Sequence, residues 1–117
     1  MRLLVCGGRD YADRAFVTEC LDKAHAKRPI TMLIHGGAKG ADALAEDWAQ
    51  ANHVPAKAYE AQWDVYGKAA GPVRNMRMMT EGKPDGVVAF LGGSGTAHMV
   101  GLAIDAGLPV WCPKRKG

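Results

Sequence analysis

Five short apolar runs, at residues 3–6, 31–35, 56–59, 87–91 and 110–112, punctuate the chain, and stretches with helical spacing separate them. Strand-length runs alternating with helices are the signature of βαβ units, which set a parallel sheet between two helical layers. The pattern predicts a three-layer α/β, Rossmann-like fold in a single domain over residues 1–117, with five parallel strands in the order 3-2-1-4-5.

Residues 13–27 place Phe16, Val17, Cys20, Leu21 and Ala24 on one stripe, with Asp13 positioned to cap the exposed N–H groups and Pro29 to stop the helix. Residues 40–52 put Ala41, Leu44, Ala45, Trp48 and Ala49 on one face and turn Asp42, Glu46 and Asp47 away, which makes Trp48 a core residue. In residues 71–81 Met76, Met78 and Met79 are interleaved with Arg74, Asn75 and Arg77, and methionine there serves as adaptable core packing. Residues 96–106 are apolar on nearly every side through Met99, Val100, Leu102, Ala103 and Ile104, a helix expected to be covered by a second layer or a partner subunit. The one long irregular stretch is 60–70, and such loops in compact domains are often functional.

Composition is ordinary for a soluble globular chain, 48% hydrophobic and 23% charged, apart from an excess of glycine, 15 residues in all. The formal charge of +3, from 15 Lys and Arg against 12 Asp and Glu, is too small and dispersed for duplex DNA and suits a small anionic ligand. The basic run Lys114, Arg115, Lys116 is read as a solvated tail without a role. Cys6, Cys20 and Cys112 lack CxxC spacing and no HxxxH pair accompanies them, so no metal is expected; they are read as buried thiols of a reducing compartment. No apolar run approaches the roughly 18 residues of a membrane span or the about 7–15 of a signal core, so a cytoplasmic location with no membrane contact is expected.

The glycines cluster in "CGGRDY", "HGGAKGAD" and "FLGGSGTA", the turns after strands one, two and four. Right-handed crossovers bring these turns to the carboxyl edge of the sheet, beside the switch in strand order where open α/β sheets bind ligands. Glycine there lets backbone N–H groups approach a phosphate, which the following helix dipole also favours. The candidate contacts are Gly7, Gly8 and Arg9; Gly36, Gly37, Lys39, Gly40 and Asp42; Gly92, Gly93, Ser94, Gly95 and Thr96; and Arg74 with Asn75. "GGRDYA" is not GxGxxG, strand two ends on His35 in place of an acidic ribose ligand, and GxxxxGK[ST] is missing. These departures disfavour a dinucleotide dehydrogenase and a phosphate-loop NTPase. Trp63 and Tyr66 either stack on a nucleobase or pack within their loop, and Asp42 is assigned to helix capping while Asp10 stays open between capping and chemistry.

In order and spacing, "GGRDY", "HGGAKGADALAEDWA", "WDVYGKAAGPVRNMRM" and "GGSGTA" resemble the SLOG superfamily of Rossmann-like domains, related to the Lonely-guy enzymes, and within it the YspA/YpsA-related group. The resemblance implies a nucleotide or nucleotide-derived ligand such as an ADP-ribose or NAD derivative, phosphate on the turns after strands two and four, a sensor or effector role, and a homodimer or higher homo-oligomer. No further cofactor is expected. Lonely-guy enzymes are phosphoribohydrolases, and Arg74 in "RNMRM" resembles their catalytic arginine. Their glutamate in GGxGTxxE is Met99 here, so N-glycosidic hydrolysis, the alternative function, needs Asp10 or His98 in its place. Single-stranded nucleic-acid binding, known in a related domain of DNA-processing proteins, ranks third because charge and aromatics are few.

Overall fold

The computed structural model describes residues 1–115. Along the chain run β1 (Arg2–Cys6), α1 (Arg14–Lys27), β2 (Met32–His35), α2 (Ala41–Ala51), β3 (Ala56–Ala58), the short α3 (Trp63–Tyr66) with a 3₁₀ turn (Gly67–Ala69), α4 (Ala70–Thr80), β4 (Gly86–Ala89), α5 (Ser94–Asp105) and β5 (Val110–Trp111). All strands pair in parallel in the order β3-β2-β1-β4-β5, with Leu3 opposite Leu33 on one side and Gly86 on the other. The order reverses between β1 and β4, which opens a crevice at their carboxyl ends.

Side chains alternate across a strand, and here both faces are covered. Leu3, Val5, Leu33 and Val88 meet Phe16, Val17 and Leu21 of α1 and Ala45 and Trp48 of α2. Leu4, Cys6, Ile34, Val87 and Ala89 meet Met78 of α4 and Met99 and Ala103 of α5. That two-sided burial is why β1, β2 and β4 carry no polar side chain apart from Arg2 and His35. Each fully buried Leu or Ile contributes about 1.5–3 kcal/mol relative to exposure. Asp13 Oδ1 accepts the Phe16 N–H at 3.1 Å, capping α1 as its sequence predicts, and Trp48 is core, its Nε1 donating to Asp22 at 2.8 Å.

Three expectations are corrected. Arg115 is no idle tail residue: Nε and Nη2 grip the Asp13 carboxylate at 2.6 and 3.0 Å, and the guanidinium lies 5.0 Å from the Phe16 ring. Lys116 lies outside the described residues. Cys112 is exposed, one residue beyond β5 on an edge of the sheet, whereas Cys6 and Cys20 are buried. Helix α5 packs Met99 and Ala103 against one sheet face and leaves Ile104 at 62% exposure, since one sheet face covers one stripe of a helix. Residues 60–70 are not irregular, since α3 and the 3₁₀ turn occupy most of them. No helix among the described residues is long and apolar enough to cross a membrane.

Candidate functional site

The three glycine turns lock together around Gly8. Its N–H donates to the Leu91 carbonyl at 2.9 Å, and its own carbonyl accepts from Tyr11 and Ala41, each at 3.2 Å. A Cβ on Gly8 would lie 2.9 Å from Leu91 O, and one on Gly92 would strike Thr96 Oγ1 and the Gly8 nitrogen. Gly40 has φ of +74°, and a Cβ there would collide with the carbonyls of Gly8 and Arg9. These glycines are needed to bring one backbone against another, whatever the crevice holds.

Between the turns lies a cavity of about 310 Å³. Val5, Cys6, Met78 and Met99 contribute its apolar lining; the polar lining comes from Gly7, Gly8 and Arg9 after β1, Gly36, Ala38 and Asp42 after β2, Arg74 and Asn75 of α4, and Gly93, Ser94, Gly95 and Thr96 at the start of α5. Eleven of the expected contacts therefore converge. Gly37, Lys39, Gly40 and Gly92 do not line it: Gly40 and Gly92 act through the backbone packing just described, and Gly37, at φ of +69°, sits against Glu60. Asp10 and His98 are exposed and also outside the lining.

Asp42 departs most from expectation. It neither faces away nor caps α2, whose N-cap is Gly40. Its side chain folds back into the preceding turn, 6% exposed, and Oδ2 accepts the N–H groups of Gly36 and Ala38, both at 3.2 Å. Burial pushes its carboxyl above the usual range, against the pull of those N–H groups and of nearby His35 and Arg74.

Arg74 is held from two sides, Nη1 donating to Gly36 O at 2.7 Å and Nε to Asn75 Oδ1 at 2.9 Å. Burial lowers its pKa and Asp42 raises it, while Arg9 lowers it as a like charge close by. A guanidinium stays charged under such shifts. Asn75, 3% exposed, then donates from Nδ2 to Gly95 O at 3.2 Å and pairs with His98 Nδ1 at 3.0 Å. One buried amide thus ties α4 to the first turn of α5. Arg9 sits with its guanidinium 5.6 Å from the Trp63 ring, a cation–π contact joining the first turn to α3; Tyr66 is exposed.

Two further groups were absent from the expected set. Cys6 lines the cavity, but burial first, and the Asp42 charge second, push its thiol up to about 12, so it is a neutral wall and no nucleophile. Its position as the last residue of β1, at the carboxyl edge of the sheet beside the switch in strand order, was the available signal. His35 is buried scaffolding: Nε2 meets Glu46 Oε1 at 2.8 Å and Nδ1 accepts the Gly37 N–H at 3.0 Å. That bond holds the Glu46 carboxyl below its usual range.

Among the described residues no side chain caps α5, whose N-cap is Gly93. Neither Gly93 nor Gly95 has anything within 4 Å of where a Cβ would stand. The strand order and the cavity at its switch point make this a Rossmann-like α/β domain. The model of the YspA, cpYpsA-related SLOG family matches residues 1–66, from β1 to α3, and the chain belongs to that family. It is also similar to Gene 61 protein of Mycobacterium phage D29, 38% identical over an alignment that covers 93% of each chain. Arg74, Asn75 and the start of α5 lie beyond the stretch matched by the family model.

Proposed function

We propose that the cavity holds a phosphate-bearing ligand of mononucleotide size, its phosphate on the first turn of α5, and that the chain binds this ligand as a sensor or effector domain. The observation that carries this is the pair Gly93 and Gly95. Packing does not ask for glycine at either, since a Cβ would meet nothing within 4 Å. Gly93 is the N-cap, where glycine is an ordinary choice, but Gly95 lies within the helix, where glycine costs about 0.5–1 kcal/mol relative to alanine. What the missing Cβ supplies is room beside uncapped N–H groups, where the helix dipole favours an anion. Arg9 and Arg74 add two guanidiniums suited to phosphate oxygens.

A cavity of about 310 Å³ sits at the bottom of the roughly 300–1,000 Å³ range of small-molecule sites, which favours a nucleoside monophosphate over ADP-ribose or NAD. Binding without turnover is favoured because the resemblance places a catalytic glutamate where Met99 stands buried, and because Asp10 and His98 lie outside the lining. Isothermal titration with inorganic phosphate, AMP, ADP-ribose and NAD tests the proposal, with chromatography following release of adenine. AMP is expected to bind, more weakly to Arg74→Ala, with no base released. No heat from any of the four at millimolar concentration overturns it. Adenine release that disappears in Arg74→Ala replaces it with the hydrolase.

A further inference from the structure

Asp42 uses only half of its carboxylate inside the protein. Oδ2 takes both backbone N–H groups, and among the described residues Oδ1 has no hydrogen-bond partner. The side chain is 6% exposed, yet Oδ1 is not sealed off, because no buried side-chain polar atom among the described residues is left without a partner. The open space that Asp42 borders is the cavity. An oxygen with acceptor capacity, on a side chain more than nine-tenths buried and facing a cavity, is a group waiting for a donor.

The turn itself does not require a carboxylate. Two N–H groups converging on one oxygen are served equally well by an amide carbonyl. What the acid adds is the second oxygen and the negative charge, and burial makes that charge unfavourable. The charge also repels a phosphate, so an anion seated on α5 leaves Asp42 to meet a different part of the same ligand. Two guanidiniums already line the cavity, which disfavours a cationic donor and leaves a neutral one.

We propose that Oδ1 of Asp42 is the sugar-hydroxyl subsite of this cavity, selecting ribose-bearing phosphates over inorganic phosphate and over sugars lacking the 2′ and 3′ hydroxyls. This rests on the phosphate site proposed above. A charge-assisted hydrogen bond of this kind changes affinity by about ten- to a hundredfold.

The probes are AMP and CMP with their 2′,3′-dideoxy counterparts, titrated by calorimetry into the native protein and into Asp42→Asn. The amide variant keeps a carbonyl for Gly36 and Ala38, so the turn survives. The native protein is expected to bind the ribonucleotides at least about tenfold more tightly than the dideoxy forms. In Asp42→Asn that ratio is expected to fall to within about threefold, chiefly through weaker ribonucleotide binding. Equal affinity of the native protein for the two sets overturns the sugar subsite and leaves the phosphate site standing. A variant that loses both sets by the same factor also overturns it, assigning Asp42 to the turn alone. If neither set nor inorganic phosphate binds at millimolar concentration, the phosphate site fails and the subsite with it.

Discussion

Gly95→Ala separates what the α5 glycines do for the fold from what they do for a ligand. Gly95 is the second residue of α5, its carbonyl accepts from Asn75 at 3.2 Å, and a Cβ there meets nothing within 4 Å. The methyl group therefore strains no contact within the fold, and alanine restricts the unfolded chain. The expected gain is about 0.5–1 kcal/mol. For a chain of this size that raises the thermal midpoint by roughly 2–5 °C. The same methyl stands on the cavity lining, where it displaces a phosphate from the first-turn N–H groups. Scanning calorimetry of the ligand-free variant, paired with AMP titration, is expected to show a higher midpoint together with binding weaker by about tenfold or more. A lower midpoint would refute the view that packing leaves this position free. A higher midpoint with undiminished AMP binding would refute the view that the glycine is there for a ligand.

Three other perturbations follow from the same geometry. Gly40→Ala meets both a φ of +74° and the carbonyls of Gly8 and Arg9, and is expected to cost more than about 2 kcal/mol by chemical denaturation; a loss under about 0.5 kcal/mol counts against the interlocked turns. With iodoacetamide near neutral pH, the folded protein is expected to take one label, on exposed Cys112, while buried Cys6 and Cys20 react only after denaturation; rapid labelling of Cys6 under native conditions contradicts its burial. Burial raises the Asp42 carboxyl in the fold, so the folded chain holds that proton more tightly than the unfolded one. The resulting penalty is absent below the unfolded value, grows as pH climbs from there to the folded value, and is constant above it. Ligand-free Asp42→Asn is therefore expected to be at least as stable as the native protein at neutral pH, its advantage shrinking toward about pH 3. Thermal melts across that window check the sign, and a midpoint several degrees lower at neutral pH contradicts it.

Most of the frame was legible because it depends on periodicity. Strands buried on both faces read as continuous apolar runs, and right-handed crossovers leave few ways to order five of them. All five runs are strands within a residue or two, and the order 3-2-1-4-5 is the one observed. Helix α3 was missed because "WDVY" is a single turn, too short for a 3.6-residue period to register. The Arg115–Asp13 pair spans 102 positions and has no local signal, so only the folded chain brings it together.

The misplacement of Asp42 has a different cause. A helical wheel assigns each residue a face as though the helix continued in both directions, but in the first turn the side chain lies beside the chain that enters the helix. Asp42 is in that first turn, and the entering segment, Gly36 to Gly40, offers two unpaired N–H groups that its oxygen meets. A polar residue on the nominally outer face then becomes one of the three buried polar side chains among the described residues, with His35 and Asn75. All three fasten glycine turns at the carboxyl edge: His35 and Asp42 hold the turn after β2, and Asn75 joins α4 to the turn after β4. Local choices that oppose stability gather in the same place, namely a helix begun without a side-chain cap, a glycine inside its first turn and a carboxylate taken out of water. In a fold whose other levels agree, such conflicts mark the positions where something other than stability decides the residue. Here they surround one cavity, so occupancy of that cavity is expected to relieve them together, and the ligand that fits will raise the melting temperature of the native protein more than that of Gly95→Ala or Asp42→Asn.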